Sequence, residues 1–320
     1  MKTKVWIIIA VSFILIGGII FVGAMSMLKW NFNDISTTKY ETNTYDIAEE
    51  FENISINTDT ADILFLLSAS GKCSVECVEE VRTKHTVSAQ ENTLSIDITD
   101  TRKWYDHISF FSFGTPKIMV YLPSDKYALL TVKASTGDVQ IPKEFTFDGI
   151  DIKVSTGDVS CNASTANDLK IKTSTGHINL DNITAANMNL TTSTGGINVK
   201  SVDCSGKIET KVSTGKTNLT DVKCESLISN GNTGDIKLTN VIAAKDINIK
   251  RSTGDIRFDK CDAGEILITT DTGDVGGTLL TNKVFICKTD TGDIDVPKTI
   301  TGGRCEITTD TGDIQINVGK

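Results

Sequence analysis

A run of aspartates near the C-terminal end contains the residues of this sequence best suited to bind a ligand. The tetrapeptide Asp-Thr-Gly-Asp occurs there three times, at spacings of 19 and 20 residues. Copies stacked as parallel strands would lie about 4.8 Å apart, and neighbouring carboxylates would repel by about 1 kcal/mol in water. A Ca²⁺ ion with oxygen ligands would relieve that repulsion. A structural turn with solvated carboxylates is the favoured interpretation, so no cofactor is predicted and Ca²⁺ is the alternative. The six candidate ligands are Asp271, Asp274, Asp290, Asp293, Asp310 and Asp313.

A cluster of aromatic residues is the second candidate binding site. It lies in the segment KWYDHISFFSFGTP, which is unusually aromatic for a chain with 6% aromatic residues. Such side chains either plug the open end of a β core or form an exposed loop that docks on a partner or on the membrane interface. The plug is favoured, and docking is the alternative. The five residues are Trp104, Tyr105, Phe110, Phe111 and Phe113.

The other residue types give no catalytic arrangement. His85, His107 and His177 are scattered along the chain, and no Ser/His/Asp set or Gly-rich phosphate loop stands out. A polysaccharide-cleaving enzyme needs convergent carboxylates in a cleft, which a repeat this regular does not suggest. The formal charge of −9 argues against nucleic acid, whose phosphates need a basic surface. We therefore predict a non-catalytic protein that does not bind nucleic acid.

These residues are positioned by a repeat that dominates the sequence. A corner of the form Ser/Asp-Thr-Gly-Asp recurs, with variations, at intervals of 19 or 20 residues. Apolar residues lie seven and five residues before most of the glycines and two and four residues after them, which is the period of β-strands. This pattern predicts an all-β fold, a parallel β-solenoid of about ten coils over residues 131–320. The ten corner glycines are Gly137, Gly157, Gly176, Gly195, Gly215, Gly234, Gly254, Gly273, Gly292 and Gly312.

The repeat also assigns places to most of the cysteines. Four of them take inward positions that other coils fill with Ile, Leu or Val, namely Cys161, Cys261, Cys287 and Cys305. Cys204 and Cys224 belong to an inward column of small residues and would lie close enough to form a disulfide, which the sequence leaves open. Cys73 and Cys77 would lie about 13 Å apart on one strand, too far to bridge. No histidine or further cysteine stands at zinc-ligand spacing from either pair.

The two ends of a solenoid need separate treatment, because each exposes an open core and unpaired strand edges. Residues 45–130 also have the alternating pattern of strands, and we predict that they form a β cap on the first coil. After Gly312 only the residues DIQINVGK follow, so no cap is predicted there. We expect the C-terminal coil to offer an exposed edge to a partner or to another copy of the chain.

The N-terminal residues predict export and anchoring. Residues 5–28 form an uncharged apolar run of 24 residues, which as a helix reaches about 36 Å and spans a bilayer core of about 30 Å. Lys2 and Lys4 before the run, against the single Lys29 after it, favour an N-terminus inside the cell. The expected segments are a cytoplasmic tip at 1–4, a transmembrane anchor at 5–28 and a stalk at 29–44, with the bulk of the chain extracellular. A cleaved signal peptide is the alternative.

Together these features resemble a known family. The opening F-x-x-I-x-I-x-T at Phe51, the strands TLSI and IMVYLP, and the serial STGD copies are similar to the bacterial putative-adhesin family, a domain of unknown function in envelope proteins. The resemblance covers residues 45–320 and implies no catalytic residues. It implies a membrane-anchored, adhesin-like binding or structural module whose partner is an envelope polymer or a membrane protein. An accessory protein of an envelope-stress signalling system is the alternative.

Overall fold

The computed structural model describes residues 2–27, 30, 40–100 and 115–319. A single helix, α1 (Lys2–Met27), precedes a body built of strands. The part of α1 from Ile9 to Met27 is long and apolar enough to cross a membrane, and nearly all of its side chains are exposed.

The strands before the regular repeat alternate buried and more exposed residues, as their sequence pattern predicts. They are β1 (Tyr40–Ile47), β2 (Asn53–Thr60), β3 (Asp62–Leu67), β4 (Cys73–Glu80), β5 (Thr83–Gln90), β6 (Thr93–Asp100) and β7 (Lys117–Leu122).

The strands of the repeat stack in parallel and in register, so the predicted β-solenoid is confirmed. Most strands that lead into a corner glycine are separate: β8 (Lys126–Thr136), β10 (Thr146–Thr156), β13 (Asp168–Thr175), β15 (Asn187–Thr194), β17 (Lys207–Thr214), β22 (Lys283–Thr291) and β24 (Gly303–Thr311). The strands that leave a corner are β9 (Val139–Ile141), β11 (Val159–Cys161), β14 (Ile178–Ala185), β16 (Ile197–Cys204), β21 (Val275–Leu279), β23 (Ile294–Asp295) and β25 (Ile314–Val318), and β12 (Ser164–Thr165) lies on a return segment. Three long strands run from one corner to the next, β18 (Thr217–Thr233), β19 (Ile236–Thr253) and β20 (Ile256–Thr272).

The corner glycines are required by both the backbone conformation and the space available. All ten have φ between 129° and 148°, a region that side chains other than glycine rarely adopt. At Gly195 an added Cβ would lie 2.1 Å from the carbonyl oxygen of Gly176, and each of the other corners meets the neighbouring coil in the same way. The threonine directly before each corner glycine, which ends its strand, is exposed, so glycine is the residue that the close approach of the coils demands.

A second corner in each regular coil has a different chemistry. Six residues after the glycine the backbone takes the left-handed conformation, with φ between 52° and 56° in five consecutive coils. Asn and Asp tolerate this conformation because their short side chains bond locally, whereas Lys does so at a cost. The five residues are Asn182, Ser201, Asp221, Asn240 and Lys260.

The inward side chains form one continuous core along the solenoid. The positions predicted for Cys161, Cys261 and Cys305 are fully buried, and Cys287 is half-buried. All eight cysteines are free thiols, including Cys204 and Cys224. Burial raises the pKa of the Cys161 thiol to about 12, as expected for cysteine acting as a small apolar side chain.

The first coil of the solenoid lies before the regular repeat. Strand β2 pairs in parallel with β8, and β3 pairs with β9, so Ala61 lies at the corner position that glycine takes in later coils. Strands β6 and β7 stack in turn on β2 and β3. Antiparallel pairing of β4 with β7 and β1, and of β5 with β6, then continues the two sheets beyond the last coil. Val75 and Cys77 of β4 are fully buried within this end.

The order of the last coils corrects the expectation for the C-terminal end. Strand β24 pairs with β20 on one side and with β22 on the other, and β25 lies between β21 and β23. The coil of Gly312 is therefore inserted between the coils of Gly273 and Gly292. The free edge belongs to β22, and the expectation that the C-terminal coil forms it is wrong. Gly302 and Gly303 allow this path, because a Cβ at either would lie 1.8 Å from a carbonyl oxygen of another coil.

Candidate functional site

The aspartates that follow the corner glycines form a hydrogen-bonded ladder. The backbone N–H of Asp158 donates to Oδ1 of Asp138 at 2.8 Å, and the N–H of His177 donates to Oδ1 of Asp158 at 2.7 Å. His177 continues the column, since its Nδ1 accepts the N–H of Gly196 at 2.9 Å. Each side chain thus satisfies a backbone group that the corner leaves without a strand partner. These hydrogen bonds between adjacent coils give the aspartate column a structural role.

The six predicted Ca²⁺ ligands lie in three adjacent layers, although the layers are out of sequence order. Oδ1 of Asp274 accepts the N–H of Asp313 at 3.0 Å, and Oδ1 of Asp313 accepts the N–H of Asp293 at 2.9 Å. The aspartates two residues before the glycines, Asp271, Asp290 and Asp310, are exposed.

Neighbouring cations balance part of this negative charge. Arg257 lies 3.3 Å from carboxylates of both Asp255 and Asp274, and Lys288 lies 3.1 Å from Asp290. In the described part of the chain, no three of these aspartates bring their oxygens together as a metal site would. A structural turn, with a Ca²⁺ site as the alternative, stays the prediction for this edge.

The predicted aromatic site lies outside the described residues. Trp104, Tyr105, Phe110, Phe111 and Phe113 all fall in the sequence between β6 and β7. Whether they plug the core or dock on a partner stays a prediction.

A buried polar cluster, which the sequence did not indicate, lies beneath the hairpin formed by β4 and β5. Among the described residues, Cys77, Glu79 and His85 form the group whose potential metal-ligand atoms lie within 4.8 Å of one another. His85 Nδ1 lies 2.7 Å from Oε2 of Glu79, and His85 Nε2 lies 2.9 Å from Oγ1 of Thr58. Asn43 donates to the other oxygen of Glu79 at 2.7 Å.

The hydrogen bonds of this cluster indicate a structural role. Both oxygens of Glu79 and both ring nitrogens of His85 already have partners, and the backbone N–H of His85 also donates to Glu79 at 2.6 Å. Burial, with the negative charges of Glu79 and Glu76, raises the pKa of the Cys77 thiol to about 12. The cluster therefore holds the β4–β5 hairpin on the core and keeps Cys77 protonated.

A buried arginine links three layers in the middle of the solenoid. Nη1 of Arg251 donates to the carbonyl oxygen of Val212 at 3.1 Å, and Nη2 donates to Oγ1 of Thr217 at 2.8 Å. The intervening coil makes room with Gly231, where a Cβ would lie 1.5 Å from Nη1. Burial lowers the pKa of Arg251 to about 10, and none of the described carboxylates forms an ion pair with it. Arg251 is buried, and its hydrogen bonds indicate a structural role.

A concave surface lies at the capped end. A cleft of about 820 Å³ opens between the loops that precede β2, β4 and β8. The rings of Phe51 and Tyr127 stack beside it, with centroids 5.8 Å apart and planes 17° from parallel. Burial raises the pKa of Tyr127 to about 12, so its hydroxyl stays protonated. The charged residues around the cleft are Asp46, Glu49, Glu50, Glu52, Lys72 and Lys126, so carboxylates outnumber lysines by four to two.

The coil stack and part of the cleft lie within a region that matches a known family. The model of the Toastrack DUF4097 domain matches residues 51–211 and 205–320. The chain belongs to the Toastrack DUF4097 family. Its matched region begins at Phe51, immediately before β2, and so includes the coil that turns at Ala61. This confirms the resemblance indicated by the STGD repeats.

Two of the solved structures that match the chain come from Bacteroides and Parabacteroides. A putative adhesin from Bacteroides fragilis shares 15% identity at a TM-score of 0.42, over 87% of this chain and 97% of its own. A putative lipid binding protein from Parabacteroides distasonis shares 14% identity at a TM-score of 0.46, over 88% of this chain and 98% of its own. These low values give no basis for transferring a ligand. No curated protein is similar in sequence to the chain.

Sequence reasoning missed three features of this Toastrack chain, and one had a readable signal. The stretch Asp59-Thr60-Ala61-Asp62 repeats the corner motif with Ala in place of Gly, and Ile54, Ile56, Ile63 and Phe65 occupy the expected apolar positions. The buried cluster of Cys77, Glu79 and His85 had no such signal, because its spacing matches no ligand motif. The insertion of the last coil between two earlier coils had no sequence signal either, because that coil has the same length and pattern as the others.

Proposed function

We propose that this protein is a membrane-anchored, non-catalytic surface module that binds a component of the cell envelope. The observation that carries the proposal is the contrast between α1 and the solenoid. The apolar side chains of α1 are exposed along nearly its whole described length, whereas the solenoid buries its apolar residues in its own core. An exposed apolar helix of this length needs lipid around it.

The anchoring can be tested on the full chain by alkaline carbonate extraction of bacterial membranes. We expect the protein to stay with the membrane pellet, and protease added to intact spheroplasts to degrade the solenoid. The variant with Ile14→Arg and Gly17→Arg should lose membrane retention. Detection of a tag at the N-terminus of the mature protein separates an anchor from a cleaved signal peptide, whose removal would release the chain and contradict the proposal.

For the ligand, the cleft at the capped end supports a neutral or cationic envelope polymer. Stacked rings beside a cleft suit sugar rings, which bury one apolar face, and the excess of carboxylates disfavours polyanions. Purified peptidoglycan, which carries less negative charge than a polyphosphate wall polymer, should therefore retain the protein better than such a polymer does.

Charge reversal locates the binding surface. We expect Glu49→Lys with Glu50→Lys to reduce retention by peptidoglycan, while the matched control Asp181→Lys, on an exposed side of the solenoid, leaves it unchanged. Equal losses in both variants would contradict the cleft as the binding site. Retention by a membrane protein in place of a polymer would favour the alternative role in envelope-stress signalling.

A further inference from the structure

The solenoid ends in an open strand edge opposite the cap. Strand β22 pairs with β24 on one side, and no described strand pairs with it on the other. Its nine residues lack proline and glycine, so one row of backbone N–H and C=O groups is free to accept another strand.

The apolar core is also uncovered at this end. Core positions in the coil of Gly273 are buried, with Ile266 2% and Ile268 0% exposed. In the outermost coil the equivalent Phe285 and Cys287 are half-buried, and Ile294 is 46% exposed. On the outer face of β22, Ile286 is 50% exposed. Compared with the inner coils, the outermost coil therefore lacks a further layer that would cover its apolar side chains.

We propose that a second copy of the chain supplies that layer, through antiparallel pairing of the two β22 edges about a two-fold axis at Cys287. This register pairs all nine residues of each strand, giving a ladder of about 30 Å. It sets Ile286 against Lys288 of the other copy and Val284 against Asp290. The same axis brings the two open cores together and covers both.

The length of the overlap selects this register, and charge excludes two of the alternatives. A two-fold axis at Lys288 would set two ammonium groups directly opposite each other, and an axis at Asp290 would do the same with two carboxylates. Like charges directly opposite across a strand pair are destabilising. The axis at Cys287 avoids both contacts and gives the longest overlap, whereas an axis away from the midpoint of β22 leaves residues at the strand ends without a partner.

The test measures the oligomeric state of the full chain in detergent micelles, by light scattering during size-exclusion chromatography. We expect a dimer at micromolar concentration. Ile286→Lys sets a second ammonium beside Lys288 of the other copy and should weaken the dimer by about tenfold or more. The matched control is Leu267→Lys, which alters an exposed apolar residue on the same outer face two layers further in. That variant should remain dimeric.

A second readout does not depend on either variant folding. Oxidation of the wild-type protein with copper–phenanthroline should join two Cys287 thiols, which lose two electrons and two protons to the oxidant, and give a covalent dimer absent in Cys287→Ser. A monomer at all concentrations, a dimer that Ile286→Lys leaves intact, or a failure to form the Cys287 crosslink would each overturn the proposal. None of these outcomes depends on membrane anchoring or on a polymer ligand, so the proposed function is tested separately.

Discussion

Replacing a corner glycine in the middle of the stack tests the basis of the fold. Gly195 has φ of 136°, and an added Cβ would lie 2.1 Å from the carbonyl oxygen of Gly176. We therefore expect Gly195→Ala to strain the backbone and to force the two coils apart.

The magnitude follows from these two terms. Holding an L side chain in such a conformation costs about 1–3 kcal/mol. Relief of the clash needs a shift of about 1 Å, since carbon contacts lie beyond 3 Å. That shift weakens the hydrogen bonds from Gly176 N to Thr194 O, at 2.9 Å, and from Gly195 N to Thr214 O, at 3.0 Å. At about 1 kcal/mol for each bond, the free energy of unfolding should fall by about 3–5 kcal/mol in total.

The assay is urea unfolding of the purified chain, followed by circular dichroism of the β signal. The matched control is Gly149→Ala, because Gly149 has no positive φ and its Cβ would meet the exposed side chain of Leu129 at 3.1 Å and the carbonyl oxygen of Asp168 at an ordinary 3.9 Å. The control should lose less than about 1 kcal/mol. Equal unfolding midpoints for the two variants would refute the argument that close approach at the corner demands glycine.

Three further outcomes are expected. Asp262→Asn should lower the free energy of unfolding by about 3–5 kcal/mol, because it leaves the buried ammonium of Lys283 without the carboxylate that lies 2.6 Å away. The double variant with Lys283→Met should recover part of this loss in the same urea assay. Lys260→Gly should raise the melting temperature by a few degrees, because it removes a left-handed conformation that costs a side chain about 1–2 kcal/mol; a lower melting temperature would contradict this. Titration with millimolar Ca²⁺ should give no saturable heat and no melting shift, since oxygens of the ladder aspartates already accept backbone N–H groups; a saturable heat would revive the Ca²⁺ site.

The candidate site was only partly accessible from the sequence. The Asp that follows seven of the ten corner glycines was visible as a column, but its bond to the next backbone N–H depends on how adjacent coils are offset. The cluster of Cys77, Glu79 and His85 arises because the β4–β5 hairpin folds back on the core, and a spacing of six residues between Glu79 and His85 carries no recognisable signal. The cleft beside Phe51 and Tyr127 joins loops that are far apart in the chain.

The sequence by itself determined the solenoid, its corners and its core. A repeat of 19 or 20 residues with strand-period apolar pairs leaves stacked coils as the arrangement that buries every pair, and a corner with φ above zero selects glycine. Only the tertiary structure decided the order of the coils. Each coil presents nearly the same strand edge, so the repeat pattern does not show which coil lies next to β20. In the structure β24 pairs with β20, and β22 pairs with the other side of β24. The free edge, and with it the surface open to a partner, was therefore set by long-range packing.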